Sequence, residues 1–242
     1  MNYQVKKDGL KRWLDYIPAR PKNPRTIILL PGLNNLHSMD SYGDYLAGQG
    51  FRVRSIKYEG QRERSKHFFT KRKISTASID EWIQNIDEGL SSLQVENKAL
   101  AALTYSIGAS LLALYLLQQR STTITSIFAF APALSLTRRS NFFLGLYRMM
   151  SFIVGGSTGI FPTLVGEEYR AEDYMSYNSY SKPKQVIDQI SIFIDKQHPP
   201  DSPIPWTVVT DPTDFFVNSL LLKTQLRKYN FPNLEFNKKM QK

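Results

Sequence analysis

Ser106 stands between a short run of small and apolar residues, Leu100 to Thr104, and a longer apolar run that continues to Leu117. A serine hydroxyl is a poor nucleophile until a base takes its proton. A sharp strand-to-helix turn helps by lifting the hydroxyl above the carboxyl edge of a sheet, where such a base can reach it. The turn needs small residues on either side of the serine, because the strand and helix backbones nearly touch there. Gly108 meets that need and Thr104 meets it only loosely. A T-x-S-x-G pattern is common by chance, so the elements around it must carry the weight.

A second stretch could also do chemistry. Thr26-Ile-Ile-Leu-Leu30 runs into Pro31-Gly32-Leu33-Asn34-Asn35, with a helix expected over Tyr42 to Gln49. A strand that stops at a glycine turn ahead of a helix can aim backbone N–H groups at an anion. It can equally be an ordinary connection. The three histidines, His37, His67 and His198, are scattered without ligand spacing and there is no cysteine. Neither a metal nor a cofactor is therefore expected.

The positioning elements read as strands alternating with helices. Residues 2–16 suggest two short strands, with Leu10, Arg12, Leu14 and Tyr16 alternating against Lys11, Trp13 and Asp15. Thr26–Leu30 is β-branched and apolar on both faces, which suits a central parallel strand. Phe51–Lys57 follows as a strand, then a polar, basic loop. A helix comes next, capped by Thr76 or Ser78, with its apolar stripe at Ile79, Trp82, Ile83, Ile86, Leu90 and Leu93. Ile124–Ala131 is a buried strand closed by Pro132. Beyond Leu136 the alternation lapses into helical stretches at Asn141–Val154 and Lys184–Lys196, and it resumes with a strand at Pro205–Thr210. A helix over Phe216–Tyr229 and a last strand at Asn233–Asn237 complete the chain. The expected class is α/β, a doubly wound, mostly parallel sheet with a helical cap inserted. Residues 1–136 and 198–242 form the core and residues 137–197 the cap.

The bulk composition fits this. The 242 residues, 42% hydrophobic and 21% charged, suffice for one packed α/β domain with an insertion. The first residues lack the apolar core of a signal peptide, and no run approaches the roughly 20 apolar residues of a membrane span. A soluble, cytoplasmic protein is the expectation. The net charge is +10. Without a nucleic-acid-binding signature, that charge reads as a soluble basic surface and no nucleic-acid partner is expected.

In order and spacing, the strand, the Pro-Gly-Leu turn, the elbow, the cap and the late acidic loop resemble the α/β-hydrolase superfamily. Within it they are similar to capped serine esterases of the monoacylglycerol-lipase or lysophospholipase-like branch. The resemblance implies Ser106 as nucleophile, Leu33 and Ile107 as oxyanion-hole N–H donors, and Thr104 and Gly108 as support for the elbow. In Thr210-Asp-Pro-Thr-Asp-Phe-Phe-Val217 it implies Asp214 as the catalytic acid, with Asp211 as the alternative. The family's histidine follows the last strand, and none of the three histidines here lies there. Three readings of the base stand. A histidine lies beyond Lys242; or His37, His67 or a water held by Asp214 serves instead; or hydrolysis is lost and an acyl-binding pocket is kept. His198 precedes its strand and reads as structural.

The run Phe142–Val154 is apolar nearly all round, so it is expected to be buried or to face something oily. With Arg138, Arg139 and Arg148 it points to a lipophilic ester as the small-molecule partner, with transient contact to a membrane surface. Oligomeric state is left open.

Overall fold

The computed structural model describes residues 3–7, 13–22, 25–33, 39–59, 77–94, 100–118, 123–153, 181–196, 204–210, 214, 217–218, 221–222, 224–225 and 235–238. Eight strands form one sheet: β1 (Tyr3–Lys7), β2 (Trp13–Pro18), β3 (Thr26–Leu30), β4 (Arg52–Ile56), β5 (Leu100–Tyr105), β6 (Ile124–Phe130), β7 (Trp206–Thr210) and β8 (Glu235–Lys238). The order is β1-β2-β4-β3-β5-β6-β7-β8. Strands β3 to β8 run parallel, while β2 pairs antiparallel with both β1 and β4. The doubly wound, mostly parallel sheet expected from the alternation is therefore present.

Helices α1 (Asp40–Gly48), α2 (Ile79–Gln94), α3 (Ile107–Leu117), α4 (Arg138–Ile153) and α5 (Lys182–Lys196) accompany it. Helix α1 packs on β2 and β4, whereas α2 and α5 both lie against α3. All eleven residues of α3 are buried, which explains why it has no polar stripe: sheet and helices cover it all round. Helix α2 shows the opposite pattern. Its stripe Ile79, Trp82, Ile83, Ile86, Leu90 and Leu93 is buried in the main core. Its start is a capping box in which Ser78 Oγ accepts from Glu81 N (3.1 Å) and Glu81 Oε2 from Ser78 N (2.7 Å). Of the two residues proposed for this cap, Ser78 acts in it and Thr76 lies outside the described residues.

Helix α5 packs onto α3 with Val186 and Ile190 in the main core, so this end of the segment expected as a cap is part of the helical layer on the sheet. Residues 154–180, the middle of that segment, lie outside the described residues. So does most of the helix expected over 216–229, of which 221, 222, 224 and 225 are helical and Leu222 is buried. On α4, Leu144 is buried, but Phe142 is 68% exposed and Leu146 is also exposed. An apolar composition all round thus does not mean burial all round here.

Candidate active site

The strands from β3 to β8 all present their carboxyl ends at one edge of the sheet. From β3 the chain proceeds to β4 on one side, then crosses to β5 on the other, so β3 and β5 flank a topological switch point, the place where open α/β sheets bind ligands. Register pairs Leu30 with Thr104. The Pro31-Gly32-Leu33 turn and Ser106 therefore leave the sheet side by side.

Ser106 adopts φ 51° and ψ −118° between β5 and α3. A side chain at positive φ is strained, at roughly 1–3 kcal/mol, and persists only where the surroundings over-determine it. Those surroundings are identifiable. Ser106 N donates to Phe130 O (2.9 Å), and Ser106 O accepts from Ala109 N (3.2 Å) and Ala133 N (3.1 Å). Thr104 is fully buried, and its Oγ1 donates to Phe128 O at 3.3 Å. That bond ties the end of β5 to β6 and shows how a threonine is accommodated before the turn.

Gly108 marks the tightest approach. A Cβ there would stand 2.4 Å from Leu30 O and 2.8 Å from Pro31 O. Helix α3 leaves Ser106 directly across the end of β3, and only glycine permits that path. Gly32 is similarly confined: a Cβ would meet the Tyr105 ring at 2.7 Å, with Ser106 Cβ at 3.6 Å. The Pro-Gly-Leu turn is thus wedged beside the serine side chain. Leu33 and Ile107 are both buried.

Asp214 follows the end of β7. Its Oδ1 accepts from Val217 N at 3.0 Å, a turn held by a carboxylate. Val217 makes an antiparallel bridge with Leu136, and Asn218 N donates to Ser135 O at 2.8 Å. The segment after β6 therefore touches Ser106 and also the backbone at Val217 and Asn218, next to Asp214. Ala131 N donates to Val209 O (2.8 Å), Ala133 N to Ser106 O, and Leu136 reaches Val217. Ala131 shares with Ser106 a positive φ, 42°, and these two are the only non-glycine residues so placed among the described residues. Sequence reasoning missed this strap. Its one signal was Pro132 at the strand end, since alanines carry no chemistry of their own.

Asp211, His37, His67 and His198 lie outside the described residues. Among the described residues no group of three or more acidic or histidine side chains could hold a metal ion. No helix among them is long and apolar enough to cross a membrane.

The same architecture occurs in solved structures of lipolytic enzymes. A soluble variant of monoglyceride lipase from Saccharomyces cerevisiae superposes with a TM-score of 0.64 at 12% identity, over 97% of this chain and 84% of that one. A structure from the metagenome-derived lipolytic enzymes LipS and LipT gives 0.62 at 13% identity, over 90% and 84%. Paleococcus ferrophilus monoacylglycerol lipase gives 0.61 at 16% identity, over 96% and 87%. No family model and no curated protein sequence matches the chain. The chain has the α/β-hydrolase fold. Within that fold it resembles the monoacylglycerol-lipase-like structures, a likeness of architecture at low sequence identity.

Proposed function

We propose that the protein is a serine hydrolase that cleaves carboxylic esters of lipophilic acyl chains through an acyl-enzyme on Ser106. One observation carries the reading: Ser106 holds a strained φ of 51° at the strand–helix junction, with Gly108 pressed against Leu30 O and Gly32 beside its Cβ. Strain of this kind is kept where it serves a site. In this reading Ser106 Oγ attacks the ester carbonyl, its proton passing to the base, and the carbonyl oxygen takes up the negative charge. The backbone N–H groups of Leu33 and Ile107 face that charge as fixed dipoles that need not reorganise. Collapse expels the alcohol, which takes a proton from the base, and water then releases the acid by the same steps in reverse order. Asp214 orients the base, a role for which its position after β7 and its anchored carboxylate suit it. The base itself is His37, His67, a water held by Asp214, or a histidine carried outside these 242 residues.

The exposed face of α4 supports a lipid-like substrate. Phe142 and Leu146 lie one turn apart and exposed, just beyond the exposed Arg138 and Arg139. Apolar side chains flanked by cations suit transient contact with an anionic lipid surface, and the part of residues 137–197 that precedes α5 serves as the cap over the site.

A fluorophosphonate probe and short- and long-chain p-nitrophenyl esters test the reading together. Labelling and turnover by the wild type, both lost in Ser106→Ala, support a hydrolase. Binding of long-chain esters without labelling or turnover would instead favour an acyl-binding module that has kept the fold.

A further inference from the structure

We propose that Tyr105 is a positioning residue whose ring sets the Leu33 donor against Ser106, and that position 32 is glycine because of that ring. The inference rests on the hydrolase reading of Ser106. An oxyanion donor is useful only if it is held in place before charge develops. The Leu33 N–H belongs to the planar peptide that starts at Gly32 Cα, so a contact that fixes this Cα fixes one end of the donor's plane. A glycine serves either for its backbone freedom or because there is no room for a side chain. Among the described residues Gly50 is the one glycine at positive φ, so Gly32 serves for lack of room. The described atoms nearest a Cβ at Gly32 are Tyr105 Cδ1 at 2.7 Å and Cε1 at 3.1 Å, followed by Ser106 Cβ at an ordinary 3.6 Å. The Tyr105 ring is what closes the space.

Tyr105 is itself anchored at the nucleophile. It ends β5, where its backbone pairs with Phe130, and the next N–H, that of Ser106, donates to Phe130 O at 2.9 Å. Leu103, two residues earlier on the same face of the strand, packs into the smaller core with Leu29. The ring thus springs from the same fixed stretch of backbone as the serine and reaches across to the turn after β3. Nucleophile and donor are joined by one aromatic contact. Tyr105 is 40% exposed, which limits what its ring adds to the core and leaves the contact with Gly32 as its distinctive part.

The test compares wild type with Tyr105→Ala, Tyr105→Phe, Gly32→Ala and the double variant Gly32→Ala/Tyr105→Ala. It measures kcat and KM for a short-chain p-nitrophenyl ester, the rate of fluorophosphonate labelling, and the melting temperature. A positioning role predicts that Tyr105→Ala lowers kcat and the labelling rate about 10- to 100-fold, the scale of a roughly 1 Å misplacement. KM should stay within about twofold, because ground-state binding does not use the oxyanion donor. Tyr105→Phe should retain most of the rate, since ring carbons make the contact. Gly32→Ala should slow both rates as well, and the double variant should outrun it, because the new methyl takes the space the ring has left. Should a single variant not fold, regained folding and rate in the double variant carries the same expectation. Unchanged kcat and labelling in folded Tyr105→Ala, equal losses in Tyr105→Ala and Tyr105→Phe, or a double variant no faster than Gly32→Ala would overturn the proposal. Absence of both labelling and turnover in the wild type would instead sink the hydrolase reading, and this proposal with it.

Discussion

Ala133 donates its backbone N–H to the carbonyl oxygen of Ser106 at 3.1 Å, although 27 positions separate them. Through that bond the segment leaving β6 grips the Ser106 backbone, and three residues later Leu136 bridges to Val217, whose N–H Asp214 accepts. Ser106 and Asp214 are thus linked through one short strap of backbone. Only the last link, the Asp214 carboxylate accepting from Val217 N, is a side-chain bond.

That arrangement separates the geometric from the electrostatic part played by Asp214. Asp214→Asn keeps the oxygen that accepts from Val217 N and removes only the charge. In folded protein it should lower kcat by about 10²–10⁴-fold, as for the orienting acid of other triads. Asp211→Asn should change kcat by less than about threefold if Asp214 is the acid. Steady-state kinetics of the two variants decide the assignment, and the reverse pattern would move it to Asp211.

Gly108→Ala places a methyl group 2.4 Å from Leu30 O, where backbone on both sides must shift. Overpacking of this kind costs about 1–3 kcal/mol. The melting temperature should fall by several degrees, about 2–4 °C per kcal/mol for a chain of this size. Labelling of Ser106 should slow in parallel, because the displaced helix carries the Ile107 donor. A melt and a labelling time course on the same sample check both parts.

Arg54 and Asp15 make a two-bond ion pair, Nε to Oδ1 at 2.6 Å and Nη2 to Oδ2 at 2.7 Å. Arg54 Nη1 also donates to Gly89 O at 2.8 Å and to Ser92 Oγ, and the guanidinium lies 4.7 Å from the Trp13 ring centre. The pair joins the antiparallel β2 to β4 and to α2. Arg54→Met leaves the Asp15 carboxylate without this partner in a largely buried place and should cost about 3–5 kcal/mol. Adding Asp15→Leu should restore much of that loss. Urea unfolding of the single and double variants measures the difference.

Two buried phenols set the alkaline limit. Burial pushes Tyr58 well above the ordinary value of 10.0. Burial, and then the neighbouring Asp40 carboxylate, push Tyr16 up as well. Both hold their protons more tightly in the folded chain than in the unfolded one. Above about pH 10 the unfolded chain therefore binds fewer protons, and stability falls as pH rises. Below that point neither phenol contributes a slope. Urea midpoints should be level with respect to these groups up to about pH 9.5 and decline beyond it. The decline should be shallower in Tyr58→Phe.

Much of the frame can be read from residues alone. A central parallel strand covered on both faces is written as an apolar run, as in the Ile27–Leu30 part of β3. The wholly buried α3 carries the same mark, and the stripe and capping box of α2 are local in sequence. The elbow is legible because Gly108 must be small. Other features depend on distance in sequence. Asp40 and Lys57 stand 17 residues apart, Asp15 and Arg54 stand 39 apart, and only strand order brings each pair together. The strap from Ala131 to Leu136 acts through backbone, so its side chains announce nothing. Exposure of Phe142 on α4 is also invisible in composition, because an apolar helix reads alike whether it is covered by protein or left open.

The central claim is that Ser106 is an activated nucleophile, and covalent labelling by a fluorophosphonate tests it most directly. Intact mass of the treated protein should rise by one phosphonyl adduct, mapped by peptide analysis to Ser106 and absent in Ser106→Ala. A folded wild-type protein that stays unmodified, or that is modified equally in Ser106→Ala, would contradict it.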